Sequence, residues 1–230
     1  MLKKQQLFSA AIIFVVLPIF FYMALQVLGD RKYYVLSLLI VVVAFIPFFV
    51  RLERKKPSAR ELVIIAVMSA LSIAGRILFM MLPGFKPVTA MTAITGFALG
   101  AEAGFLTGAL TAFVSNMYFG QGPWTPFQML TWGMIGYIAG LLGKTNVMHR
   151  WWALLAFSVF AGFFFSFGMD IWTAMSSTGV FELAAFKAAI YTALPFTVIY
   201  IVSNAIFLFV LYKPLTEQLI RVKTKYGLFQ

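Results

Sequence analysis

Long, nearly unbroken apolar stretches alternate with short polar breaks along this chain. About 20 apolar residues are what an α-helix needs to cross the hydrocarbon core of a bilayer. In lipid every backbone N–H and C=O must be satisfied within the protein, which leaves helices or a closed barrel. A barrel is written in short alternating strands. The runs here are continuous, so the pattern predicts an all-α, polytopic transmembrane helical bundle. Spans fall at roughly 7–29, 33–50, 61–82, 88–101, 103–119, 125–142, 151–174 and 188–212. The stretch 88–119 is too long for one crossing and short for two. Glu102 stands in its middle, where a charge facing lipid is costly. Two short helices turning at Glu102, with protein packed around them, are the expected solution.

The polar breaks divide the chain. Residues 1–58 hold an N-terminal transmembrane hairpin and a polar linker containing Pro57 and Ser58. Residues 59–213 form a six-helix core, and 214–230 a basic, moderately amphipathic tail expected to lie against anionic headgroups. The first span follows Lys3 and Lys4 as a signal peptide would. It is longer than a typical signal segment and no small-x-small site follows it, so it reads as a retained helix.

Composition sharpens the picture. Hydrophobic residues make up 62% and charged residues 11%, more apolar surface than a soluble domain of this length can hide. The net charge of +11 first suggests nucleic acid, but the basic residues sit between spans and at their ends. In the eight-span arrangement thirteen fall on the side of both termini and four (Arg31, Lys32, Lys86 and Lys187) on the other, with Arg76 inside a span. Positive residues stay inside, so both termini are expected in the cytoplasm of a multi-pass cell-membrane protein. The partner is then the lipid bilayer, with no nucleic acid. With no cysteine, disulfides, thiol catalysis and Cys-based metal sites are excluded. His149 is the one histidine and cannot form a cluster, so no metal site is expected.

Catalytic signatures are lacking. Gly140-Leu141-Leu142-Gly143-Lys144-Thr145 ends as a P-loop does, but Ile138 stands where the first glycine is required, and the segment closes a membrane helix. No enzyme activity is expected. Without a cluster of intramembrane carboxylates or a long internal repeat, a secondary transporter is the alternative rather than the first choice.

Four features carry candidate chemistry. Ala66, Ala70 and Ala74, spaced by four, share one face of the third span and allow another helix to approach closely. That face serves either internal packing or a partner subunit. Gly96, Gly100, Gly104 and Gly108 repeat at the same spacing, as close packing between the two short helices requires. The segment from Tyr118 to Gln128 contains two glycines and two prolines, which break a helix. Its Gln121, Thr125 and Gln128 beside Trp124 suit a large amphipathic ligand at the outer face, or else mark an interfacial loop anchored by Trp124. Arg76 lies about two turns inside its span, where a lone charge costs at least ~2.5 kcal/mol. Either Asp170 pairs with it, or Arg76 and Asn116 line a wet cavity and meet an anionic ligand group.

A six-helix membrane unit with AxxxA in its first helix resembles the substrate-binding S components of energy-coupling factor (ECF) vitamin transporters, over about 59–213. The stretches Lys86-Pro87-Val88-Thr89-Ala90 and Gly120-Gln121-Gly122-Pro123-Trp124-Thr125-Pro126-Phe127-Gln128-Met129 look like the cobalamin-type subgroup. The resemblance implies that Ala66, Ala70 and Ala74 meet a transmembrane T component tied to two ABC-type ATPases, which hydrolyse the ATP. It implies capture of a vitamin at the outer face, cobalamin or a related corrinoid, or else another vitamin, as transported ligand; no resident cofactor is implied. Arg76, Lys86, Asn116, Tyr118, Gln121, Trp124, Thr125, Gln128 and Asp170 are the candidate binding residues. The extra hairpin at 1–50 departs from the six-helix pattern.

Overall fold

The computed structural model describes residues 59–178 and 182–229, together with 11, 15 and 19. Apart from those last three positions, the expected N-terminal hairpin and linker lie outside the described residues. The described chain from residue 59 onward is all-helical: α1 (Ala59–Leu78), α2 (Val88–Leu99), α3 (Ala101–Phe119), α4 (Thr125–Leu142), α5 (Trp151–Thr178) and α6 (Leu183–Tyr226), with one 3-10 turn at Asn146–His149. Among the described helices, α1, α5 and α6 are long and apolar enough to cross a membrane. The expected helical membrane bundle is therefore present.

The region 88–119 differs in detail from expectation. α2 has 12 residues, a rise of only about 18 Å, far short of the ~30 Å hydrocarbon core. It can be this short because all its residues are buried, enclosed by α1, α3, α4 and α6. The turn falls at Gly100 rather than Glu102, with φ at 112°, a backbone conformation that costs a glycine little and other residues much. Glu102 sits in the first turn of α3, where the helix dipole favours a carboxylate.

The glycine ladder makes the expected contact between the two short helices, since a Cβ on Gly104 would lie 2.8 Å from Gly96 Cα. It also does more: α2 and α3 both press onto α4. A Cβ on Gly136 of α4 would lie 2.3 Å from the Gly104 carbonyl oxygen, and one on Gly96 2.2 Å from the Gly136 oxygen. One on Gly108 would lie 2.5 Å from the Trp132 backbone. Lipid supplies no hydrophobic drive between helices, so backbone-to-backbone approach of this kind is what holds them.

The last expected span and the basic tail prove to be one helix. α6 runs 44 residues, about 66 Å, straight through Pro195 and Pro214. Each proline removes one N–H and leaves the carbonyl four residues earlier without its donor, but the helix continues. The tail continues α6 and packs back on the bundle. After Gly227, Leu228 and Phe229 are buried, and the Phe229 N–H donates to the Glu61 carboxylate. The Arg60 guanidinium covers the Tyr226 ring at 4.9 Å, and the Lys223 ammonium donates to the Ala98 carbonyl at 3.3 Å. The chain end is thus clasped to the start of α1 and the end of α2.

Candidate functional site

At the opposite end of the bundle, a cavity of about 180 Å³ opens where α1 stops and α2 and α4 begin. Its walls include Arg76 of α1, Lys86 of the connecting loop, Thr89 of α2, Gln128 and Trp132 of α4, Phe165 and Met169 of α5, and Tyr200 and Asn204 of α6. Local rules put these groups there. Pro126 starts α4 near its first turn, where a fixed φ and a missing N–H cost nothing. The loop before α2 is pinned to α6 through Ser203, which accepts from the Lys86 N–H at 2.9 Å and donates to the Lys86 carbonyl at 3.0 Å.

Arg76 is 8% exposed. It donates to the Ser115 hydroxyl and to Asn116 Oδ1 at 2.8 Å, taking these partners in place of an ion pair with Asp170. Asn116 passes the network on, donating from Nδ2 to Thr125 Oγ1 and to Gln128 Oε1, both at 2.8 Å. The Gln128 carbonyl is thereby engaged and its amino group remains to donate. The guanidinium lies between two rings, 4.6 Å from Phe119 and 5.4 Å from Trp132, an arrangement that attracts a desolvated cation. Lys86 faces the same Phe119 ring at 5.6 Å. Burial, and then the Arg76 charge, hold its ammonium below the ordinary lysine value. The cavity lining thus carries two cations and no carboxylate.

The nine candidate residues separate by place. Arg76, Lys86 and Gln128 line the cavity. Asn116 and Thr125, both fully buried, form the hydrogen-bonded layer behind them. Gln121 is turned to the Phe113 carbonyl, to which it donates at 2.8 Å, and the Trp124 ring folds over Gly122. Tyr118 is exposed and meets Phe119 edge-on. Asp170 sits beside Ser166 and Tyr200. None of these last four is among the cavity's lining residues.

Sequence reasoning missed Thr89, Trp132, Phe165, Met169, Tyr200 and Asn204. Trp132 and Phe165 stack at 4.9 Å with 12° between their planes, and Tyr200 meets Phe165 edge-on at 5.1 Å. The Trp132 indole N–H and the Asn204 amide nitrogen are buried and have no hydrogen-bond partner. Leaving such a group unpaired costs about 1–3 kcal/mol, which a ligand bearing acceptors would recover. Asn204, an amide inside an apolar span, was the available signal; polar groups at membrane depth mark function by default.

Among the described residues, an apolar helical bundle carries a small, cationic, aromatic-walled cavity at one end, the form of a membrane-embedded binding site. A family model, that of the ECF-type riboflavin transporter S component, matches residues 56–217, well over half of the chain. The chain belongs to this family: it is an S component, the substrate-binding subunit of a vitamin transporter, not an enzyme. The cobalamin subgroup suggested by 120–129 gains no support, since the matching family is the riboflavin type. That stretch supplies the helix-breaking turn and first turn of α4. No curated protein and no solved structure matches the chain.

Proposed function

We propose that this S component captures riboflavin, or a close flavin, in the cavity lined by Trp132 and Asn204. The observation that carries the reading is the pair of unpartnered buried donors beside a stacked aromatic pair. A flavin is a flat fused ring whose pyrimidine edge is rich in carbonyl and ring-nitrogen acceptors, so it answers both features. The family match supports the same ligand. Cobalamin is many times larger than the cavity, and its neutral amides have no comparable flat face to stack. At about 180 Å³ the cavity is below the usual ~300–1,000 Å³ of vitamin-sized sites. The cavity would take the ring, with the ribityl chain directed out past Lys86.

Flavin fluorescence supplies the test, because stacking on an indole quenches it. The solubilised protein should quench riboflavin saturably and give no heat with cobalamin. Trp132→Phe, titrated by calorimetry because it removes the quenching indole, keeps an aromatic face and loses the N–H; Asn204→Leu keeps the volume and loses the amide. Each should raise Kd about 3- to 10-fold, as expected for one net hydrogen bond. Heat with cobalamin and none with riboflavin would overturn the substrate. Unchanged affinity in both variants would move the pocket elsewhere.

The face of α1 bearing Ala66, Ala70 and Ala74 is exposed along its length. We assign it to a T component, which with two ABC-type ATPases would supply the energy. The basic asymmetry of the loops supports cytoplasmic termini and an outward-facing cavity. Ala70→Trp should abolish co-purification with the T component while leaving flavin quenching intact. A complex that survives this change with normal uptake would mean that the partner docks on another surface.

A further inference from the structure

The other end of the bundle carries a recess that the vitamin site does not use. It holds about 380 Å³ and lies where the first turn of α5 meets α6 just past Pro214. Its floor is Leu154, Tyr212 and Thr216, all buried. Thr216 is 5% exposed, and its hydroxyl has no hydrogen-bond partner. His149, Lys213 and Glu217 form an exposed rim.

Position and charge together indicate the occupant. The apolar run of α6 ends at Tyr212 and its polar part begins at Lys213, so the recess sits at the boundary between hydrocarbon and headgroups. Phe209 and Trp151, which also line it, are exposed, and Phe209 belongs to the apolar run of α6, beside which acyl chains would lie. Ala153 and Leu154 donate to the Arg150 carbonyl, which leaves the Trp151 and Trp152 N–H groups ahead of the helical ladder, at the positive end of the helix dipole. The Lys213 ammonium and the unpartnered Thr216 hydroxyl line the same recess, a donor set that suits a phosphate. Glu217, one turn beyond Lys213, would repel a plain anion but accepts hydrogen bonds from a primary ammonium. Cation, hydroxyl and carboxylate in this order match a phosphate with an ammonium two carbons away.

We propose that this recess is a binding site for the headgroup of phosphatidylethanolamine. Phosphatidylglycerol offers Glu217 only neutral hydroxyls and keeps a net negative charge beside it, and the quaternary ammonium of phosphatidylcholine cannot donate to it. The site is independent of which vitamin the cavity at the other end takes.

Native mass spectrometry of the full chain, purified in detergent with equal amounts of the dioleoyl forms of the three lipids, reads the outcome. The ethanolamine lipid should be retained at least fivefold over the other two. Thr216→Val and Glu217→Gln, near-isosteric changes, should each bring that preference below twofold at an unchanged melting temperature. Glycerophosphoethanolamine, which has the headgroup without the chains, should compete only weakly. Equal retention of the three lipids would overturn the proposal, as would an undiminished preference in both variants. A soluble headgroup bound with no lipid adduct would overturn it too, by showing the recess to be a site for a free phosphodiester.

Discussion

Gly136→Ala should lower the melting temperature of the solubilised protein by about 10 °C. A Cβ at this position would stand 2.3 Å from the Gly104 carbonyl oxygen and 2.4 Å from its carbon, with Thr92 Cγ2 at 2.8 Å. Two of those atoms are backbone and cannot rotate away. α3 and α4 would have to separate, and α2, which rests on the same crossing, would lose its seat. Overpacking of this kind costs about 3 kcal/mol, and for a chain of this size each kcal/mol moves the midpoint by about 2–4 °C. The comparison is Ala66→Leu on the exposed face of α1, where a surface change should stay within about 0.5 kcal/mol. Equal melting temperatures for Gly136→Ala and the parent protein would mean that the helices do not approach so closely.

Arg76→Met should separate stability from binding. The substitution removes two hydrogen bonds from a charged donor, each worth about 1.5–3 kcal/mol. It also removes a desolvated charge whose burial costs at least ~2.5 kcal/mol, so the two effects largely offset and the melting temperature should change little. On the proposed reading riboflavin affinity should fall about 10- to 100-fold, as for the loss of a charge-assisted donor lining the site. Arg76→Lys should be intermediate: a point charge keeps the potential but cannot serve Ser115, Asn116 and a ligand at once. Titrations at equal folded fraction decide the matter. Full affinity in Arg76→Met would reduce Arg76 to a structural tie between α1 and α3.

Much of the architecture was legible because lipid leaves few choices. The starts of α1, α4 and α5 follow from hydropathy and from Pro126. The fate of 88–119 was half legible: Glu102 announced a break, but only the φ of Gly100 located it, and no hydropathy window shows that a 12-residue helix can be wholly enclosed. The C-terminus misled for a physical reason. Pro214 and the basic residues after it look like a boundary, yet in a helix packed along neighbours a proline removes one bond without ending the element. The site was legible where polar residues were dense and not where they were sparse. Arg76, Lys86 and Gln128 stood out, whereas Trp132 lies on α4 and Tyr200 and Asn204 on adjacent turns of α6, two helices that meet only in the folded bundle. Trp124 attracted attention as an aromatic beside prolines and instead covers Gly122, while the aromatic wall of the cavity is Trp132 and Phe165, one residue from each of α4 and α5.

The enclosure of α2 bears on how the protein is made. A ribosome delivers α1 to the translocation channel before α2, and α2 before most of the helices that will surround it. Twelve residues cannot hold a stable transmembrane position unaided, and the threonines at 89, 92 and 95 add little affinity for acyl chains. The nascent segment therefore has to wait, at the channel wall or under a membrane chaperone, until α3 and α4 emerge and the glycine crossing closes on it. Synthesis arrested just after residue 100 should leave a chain that extracts from the membrane more readily than one arrested after residue 145.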